Sequence, residues 1–83
     1  MFTIREASQY LRLPPHTLRY WEKALEGVLV PFRTYSGQRR YALEHLLMLE
    51  TVKQLKRKGL TLGEIRIGLS DSLGMTRHAG RFR

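Results

Sequence analysis

The sequence predicts a mainly α-helical domain with four helices and a small two-stranded hairpin. The chain has 83 residues, which is the length of one small domain. Apolar residues recur at helical spacing in four segments, and proline or glycine separates most of these segments. Near the middle, a Ser-Gly pair lies between two short segments rich in aromatic and β-favouring residues, which is typical of a hairpin turn.

The first two helices are separated by a tight turn. Thr3 and Glu6 have the spacing of a capping box, and the apolar residues after them predict a helix over about residues 4–11. Pro14 disfavours helical geometry at the preceding residue, whereas Pro15 suits the first position of a new helix. The apolar side chains of this second helix share one face, which we expect in the core: Leu18, Trp21 and Leu25.

The second helix, over about residues 15–25, is polar on the opposite face. That face carries His16, Arg19, Tyr20 and Lys23. Two cations, a phenol and an imidazole on a solvent-facing side are suited to contact phosphates and base edges. This face could therefore read DNA, although RNA and an anionic membrane surface remain open as polyanionic partners.

The predicted hairpin follows Gly27 and Pro31, which end the second helix. Three arginines surround its tip: Arg33, Arg39 and Arg40. Such cations could track a duplex backbone or merely solvate the tip. Tyr35 and Tyr41 could stack on bases, but we expect both to close the hairpin against the core, Tyr41 above all.

A long third helix is predicted over about residues 43–58, and Gly59 supplies its stop. Thr61 and Glu64 then repeat the capping-box spacing, which predicts a short fourth helix. The last segment, residues 70–83, has no sustained apolar period and carries three Arg against one Asp. We therefore expect one domain over residues 1–69 and a basic, flexible tail over residues 70–83.

The composition points to a polyanionic partner. Fifteen Lys and Arg against seven Asp and Glu give a formal net charge of +8, while 42% of the residues are hydrophobic, too many for a disordered tail. The chain has no Cys, no secretory signal pattern and no apolar run of roughly 20 residues. We expect a soluble cytoplasmic protein with no membrane partner.

Neither a metal site nor an active site is predicted. His16, His45 and His78 lie in different segments without ligands at metal spacing, and we expect His45 at the surface. A catalytic site would need a nucleophile with a base, or paired carboxylates, in a pocket. The seven scattered acids, with no Cys in the chain, offer no such set. We therefore expect no enzyme, no metal and no cofactor.

The order of these pieces resembles the DNA-binding domain of MerR-family transcription regulators, over about residues 2–69. The most specific matches are His16-Thr17-Leu18-Arg19-Tyr20-Trp21-Glu22 and Ser36-Gly37-Gln38-Arg39-Arg40-Tyr41. The resemblance implies a winged helix-turn-helix, with the hairpin as first wing and the helix pair around residues 59–69 as second wing. It implies DNA contacts from the recognition helix by His16, Thr17, Arg19 and Tyr20, and from the first wing by Arg33, Arg39 and Arg40, while Lys56 and Lys58 flank the second wing. From its place on the polar face of the second helix, Lys23 is a further candidate. Thr61, at a helix start, could present its backbone amide to a phosphate.

The sequence departs from the family pattern at two places. Pro14 stands where a Ser or similar cap often precedes the proline, and no long dimer-forming helix is visible after residue 69. We therefore expect a monomer in isolation, with pairing only on DNA that carries two adjacent half-sites. An effector site is not assigned.

The leading hypothesis is a sequence-specific, double-stranded DNA-binding transcription regulator at the bacterial nucleoid, with RNA polymerase as a candidate further partner. Alternatives are an architectural or recombination-directionality factor, and a protein-interaction module that binds an acidic partner. The basic run that ends the third helix could also be only a solvated face or a membrane-surface stripe. RNA binding is disfavoured because the common single-strand motifs are absent from the sequence.

Overall fold

The computed structural model describes the backbone of residues 1–81 and the side chains of residues 1–71. Its elements in chain order are α1 (Ile4–Leu11), α2 (Pro15–Ala24), β1 (Phe32–Arg33), β2 (Arg39–Arg40), α3 (Leu43–Arg57) and α4 (Leu62–Arg81). The predicted fold class, four helices with a two-stranded antiparallel hairpin, is confirmed.

Helix α1 begins at the predicted capping box. The Glu6 amide donates to the Thr3 hydroxyl at 3.1 Å, and the Thr3 amide donates to the Glu6 carboxylate at 2.8 Å. The backbone bond from Thr3 holds the pKa of Glu6 below its ordinary value, because it stabilises the ionised carboxylate. At the other end, Arg12 adopts a left-handed conformation with φ 58°, and the amide of Leu13 reaches back to the Ser8 carbonyl at 3.1 Å.

The hairpin is short and is joined to the N-terminal segment. Phe32 pairs with Arg40 and Arg33 with Arg39, and the turn places Gly37 at φ 87°, where a residue without Cβ is favoured. Tyr41 forms two backbone hydrogen bonds of 2.7 Å with Phe2, across an isolated antiparallel bridge. This bridge, which local sequence patterns do not predict, ties the base of the hairpin to the start of α1.

The core is built from every helix. The predicted inward face of α2 is confirmed, and α1, α3, α4 and the base of the hairpin complete the core. Its buried members are Ala7, Leu11, Leu18, Trp21, Leu25, Leu29, Tyr41, Leu46, Leu49, Val52 and Ile65. As expected, Tyr41 packs inward, and burial raises the pKa of its phenol. Tyr35, by contrast, is fully exposed at the hairpin tip, so the expectation that it packs against the core is wrong.

The expectation of a surface position for His45 is also wrong. The His45 side chain is buried, and its Nδ1 accepts the Ala42 amide at 2.9 Å. Ala42 precedes α3 and has no side-chain acceptor, so the imidazole takes part of the capping role at this helix start. The rings of Phe32 and Tyr41 pack edge-on against it, with centroids 5.4 and 6.5 Å away.

Helix α4 is longer than the sequence predicts. It continues to Arg81 and so includes most of the segment expected to be a flexible tail; residues 82–83 lie outside the described part. Once a helix has started, each further residue adds one backbone hydrogen bond, and a glycine costs only about 1 kcal/mol relative to alanine. Gly68 therefore does not end the helix. The functional division at residue 69 stays a prediction.

Candidate nucleic-acid interface

Helix α2 presents a polar face that is fixed from behind by the core. Leu18 and Trp21 are buried, whereas Arg19, Lys23 and His16 are exposed and Tyr20 is 64% exposed. Thr17 lies at the edge between the two faces and is half-buried. The predicted division of α2 into a buried apolar face and an exposed polar face is thus present. The polar face leaves two cations, a phenol and an imidazole accessible to a ligand.

Glu22 joins this helix to the hairpin. Its Oε1 lies 2.5 Å from Nε of Arg39, and its Oε2 lies 3.4 Å from Nη2 of Arg33. The Glu22 side chain is only 13% exposed, so its ion pairs are screened less than they would be in bulk water. Sequence reasoning did not single out Glu22, although its position at the border between the apolar and polar faces of the helix was a usable signal.

The three predicted hairpin arginines differ in their surroundings. The Arg39 side chain is 23% exposed and lies against Glu22, whereas that of Arg33 is 48% exposed. Arg33 also donates to the Gly37 carbonyl at 3.2 Å. Arg40 is half-buried and donates to the Arg39 carbonyl at 2.8 Å. Arg33 is therefore the hairpin arginine with the most freedom to reach a ligand.

A groove runs between α2 and the hairpin. Its volume is 580 Å³, and Arg19, Lys23 and Arg33 contribute to its walls together with Glu22 and Glu26. Cations from the helix and from the hairpin thus face a common space. The two glutamates lower the net charge of that space, so the local field is weaker than a count of its basic residues indicates.

The predicted second-wing residues lie at the junction of α3 and α4. Lys56 and Lys58 are exposed, as a contact with DNA requires. Thr61 caps α4: its hydroxyl accepts the Glu64 amide at 3.1 Å, and its own amide donates to the Glu64 carboxylate at 2.8 Å. These bonds lower the pKa of Glu64. The Thr61 amide is thus already occupied by a carboxylate, which weakens the idea that it holds a phosphate.

Two other basic side chains donate to backbone carbonyls at or just after the carboxyl ends of helices. Lys53 Nζ donates to the Leu11 carbonyl at 2.6 Å, at the end of α1. Arg66 Nη1 donates to the Glu26 carbonyl just after α2. The first interaction satisfies a carbonyl that a helix end leaves without an intrahelical partner, and the second ties the turn after α2 to α4.

The described side chains include no group of three or more His, Asp or Glu able to hold a metal ion. His78 lies outside them. In the described part of the chain, no helix combines the length and the hydropathy that crossing a membrane needs.

Comparison with known proteins identifies the family. The family model described as MerR HTH family regulatory protein matches residues 2–78. The chain belongs to the MerR family. MerR-family regulators are DNA-binding transcription factors. No curated protein sequence matches the chain.

Solved structures of MerR-family regulators share this fold. HiNmlR, a MerR family regulator lacking the sensor domain and bound to promoter DNA, superposes with a TM-score of 0.75 at 26% identity, over 87% of this chain. The match covers 56% of HiNmlR, so the chain spans about half the length of that regulator. A MerR family transcriptional regulator from Listeria monocytogenes has a TM-score of 0.67 at 23% identity, over 95% of this chain and 77% of its own.

Proposed function

We propose that this MerR-family chain binds double-stranded DNA at specific promoter or operator sequences and thereby regulates transcription. The observation that carries the proposal is the exposed face of α2, where Arg19, Tyr20 and Lys23 stand opposite a buried apolar face. A helix of this kind can enter the major groove without disturbing the core that holds it.

In this proposal the recognition helix α2 contacts base edges, while the hairpin and the junction of α3 and α4 contact the sugar-phosphate backbone of the DNA. Arg19 can donate two parallel hydrogen bonds to a guanine edge, and the Tyr20 hydroxyl and Lys23 ammonium suit phosphate oxygens. His16 and Thr17, at the start of the helix, approach the groove first. Arg33 and Arg40 on one flank, and Lys56 and Lys58 on the other, contact the flanking strands.

Arg39 takes a different part in the same proposal. Its Nε already lies 2.5 Å from Glu22, so it anchors the hairpin while its remaining donors stay available to a phosphate. The DNA-bound state of HiNmlR, which shares 26% identity with this chain, supports a duplex as the ligand. Promoter binding further implies a cytoplasmic location at the nucleoid and RNA polymerase as a neighbour.

The experiment is a selection followed by a titration. Duplexes that bind the protein are enriched from a random library, and the best one is titrated against the parent and Arg19→Ala. Loss of a bidentate base contact should weaken binding about tenfold or more, while the melting temperature stays within error because Arg19 is exposed. Arg5→Ala, which removes one charge from an exposed site on α1, is the control. If the library shows no enrichment, or if Arg19→Ala binds like the parent, the proposal is wrong.

A further inference from the structure

A second groove lies between the turn that follows α1 and the end of α3. Its volume is 410 Å³, and its walls are formed by Arg12, Leu13, Trp21, Lys53, Lys56 and Arg57. Four of these six residues are cations, and none is acidic. In this respect the groove differs from the one beside the hairpin, where two glutamates offset the basic residues. Among its cations, only Lys56 is a DNA contact expected from the sequence.

The backbone at Arg12 is the unusual feature of this groove. Arg12 ends α1 with φ 58°, and it is the one non-glycine residue with positive φ in the described part of the chain. Glycine is the favoured residue at such a helix end, because a Cβ is strained in the left-handed region. An arginine is therefore not what the end of α1 requires. A side chain kept at a backbone position that favours glycine is a pointer to function.

The other cations of the groove are positioned around Arg12. The Lys53 ammonium donates to the Leu11 carbonyl at 2.6 Å, so it is held beside the turn with further N–H donors unused by that bond. Lys56 and Arg57 are exposed at the end of α3. Trp21 is only 6% exposed, so the indole forms an apolar floor and offers no open ring face for a base to stack on.

We propose that this groove binds a backbone phosphate of the duplex that α2 reads, with Arg12 as its principal contact. The inference rests on the proposed function and adds a contact to it. A cluster of cations without a carboxylate favours an anion, and an arginine fork gives strong, charge-assisted hydrogen bonds to phosphodiester oxygens. Since α2 contributes Trp21 to this groove and Arg19 to the opposite one, the groove lies on the flank of the recognition helix away from the hairpin.

The test uses a substitution with opposite effects on folding and binding. Arg12→Gly supplies the residue that a left-handed helix end favours, so the melting temperature should stay the same or rise. Affinity for the selected duplex should nevertheless fall about tenfold, as expected for one charge-assisted bond. The slope of log affinity against log salt should become shallower by about 1. Because a phosphate contact carries no sequence information, a scrambled duplex should lose affinity by the same factor.

Further variants keep the test decisive. Arg12→Lys retains the charge but lacks the fork, so it should recover the parental salt slope and only part of the affinity, while Arg5→Ala should behave like the parent. Affinity and salt slope unchanged in Arg12→Gly would overturn the inference, and so would a loss confined to the selected duplex, which would indicate base reading. In either case a large loss in Arg19→Ala would leave the proposed function standing. If the parent itself binds no duplex, the proposed function fails first.

Discussion

At the scale of single residues, this protein uses the same side-chain types for different tasks. Arg19 is exposed and available to a ligand, whereas Arg39 is paired with Glu22 and Lys53 is bonded to a helix carbonyl. Composition counts these cations alike, so it overestimates how many of them are free. Aromatic residues divide in the same way, since adjacent Tyr20 and Trp21 face solvent and core respectively.

The adjacent aromatics give a matched pair of variants for the face assignment of α2. Trp21 is 6% exposed in the core, so Trp21→Ala should lower the free energy of unfolding by about 3 to 5 kcal/mol. That is a large share of the roughly 5 to 15 kcal/mol typical of a domain. Tyr20→Ala, at a site 64% exposed, should change it by no more than about 0.5 kcal/mol. Urea unfolding of both variants checks this, and equal midpoints would contradict the assignment.

At the scale of elements, the features predicted from the sequence are the local ones. The Thr3–Glu6 capping box, the proline that opens α2 and the Ser-Gly turn each depend on neighbours within four residues. The ion pairs of Glu22 link α2 to residues 11 and 17 positions away, and no short pattern encodes such a contact. The capping role of His45 spans only three residues, but an imidazole in that position is not a usual cap.

The ion pairs that link α2 to the hairpin lead to a prediction about the direction in which Glu22→Ala changes affinity for DNA. Simple electrostatics says that Glu22→Ala should raise affinity for DNA, because it removes a negative charge near the proposed interface. We expect a weaker complex instead, by severalfold, because Arg39 and Arg33 lose the carboxylate that fixes the hairpin beside α2. The hairpin amides of Thr34 and Gln38 should also exchange with solvent faster.

Glu26→Ala is the control for this prediction. Glu26 lines the same groove, and its exposed carboxylate forms no ion pair within the described residues. Removing it should leave affinity equal or raise it slightly. If Glu22→Ala behaves in the same way as Glu26→Ala, the hairpin does not depend on the ion pairs.

At the scale of the whole molecule, the net charge of +8 favours a polyanionic ligand, and the number of phosphates in contact with exposed cations sets how binding responds to salt. The exposed cations lie on α2, on the hairpin and at the junction of α3 and α4, so a bound duplex should lose counterions along its length. The expectation of a monomer in isolation stays a prediction, which sedimentation without DNA would check.

Salt dependence therefore provides a test of the complete interface. With about five phosphate contacts per bound domain, the slope of log affinity against log salt should be about −4 to −5. Fluorescence anisotropy of a labelled duplex across a range of potassium chloride concentrations measures it. A flat slope would contradict an interface built on phosphate contacts.

The bond between Arg66 and the Glu26 carbonyl affects how a genetic screen would be interpreted. Arg66 belongs to α4, yet its guanidinium satisfies the backbone just beyond the recognition helix. A substitution there would loosen the end of α2 and would be recovered among mutants that lose regulation. Its phenotype would resemble the loss of a DNA contact, but cooling or a stabilising second-site substitution in the core should suppress it. Suppression of this kind would distinguish residues that support the recognition helix from residues that contact DNA directly.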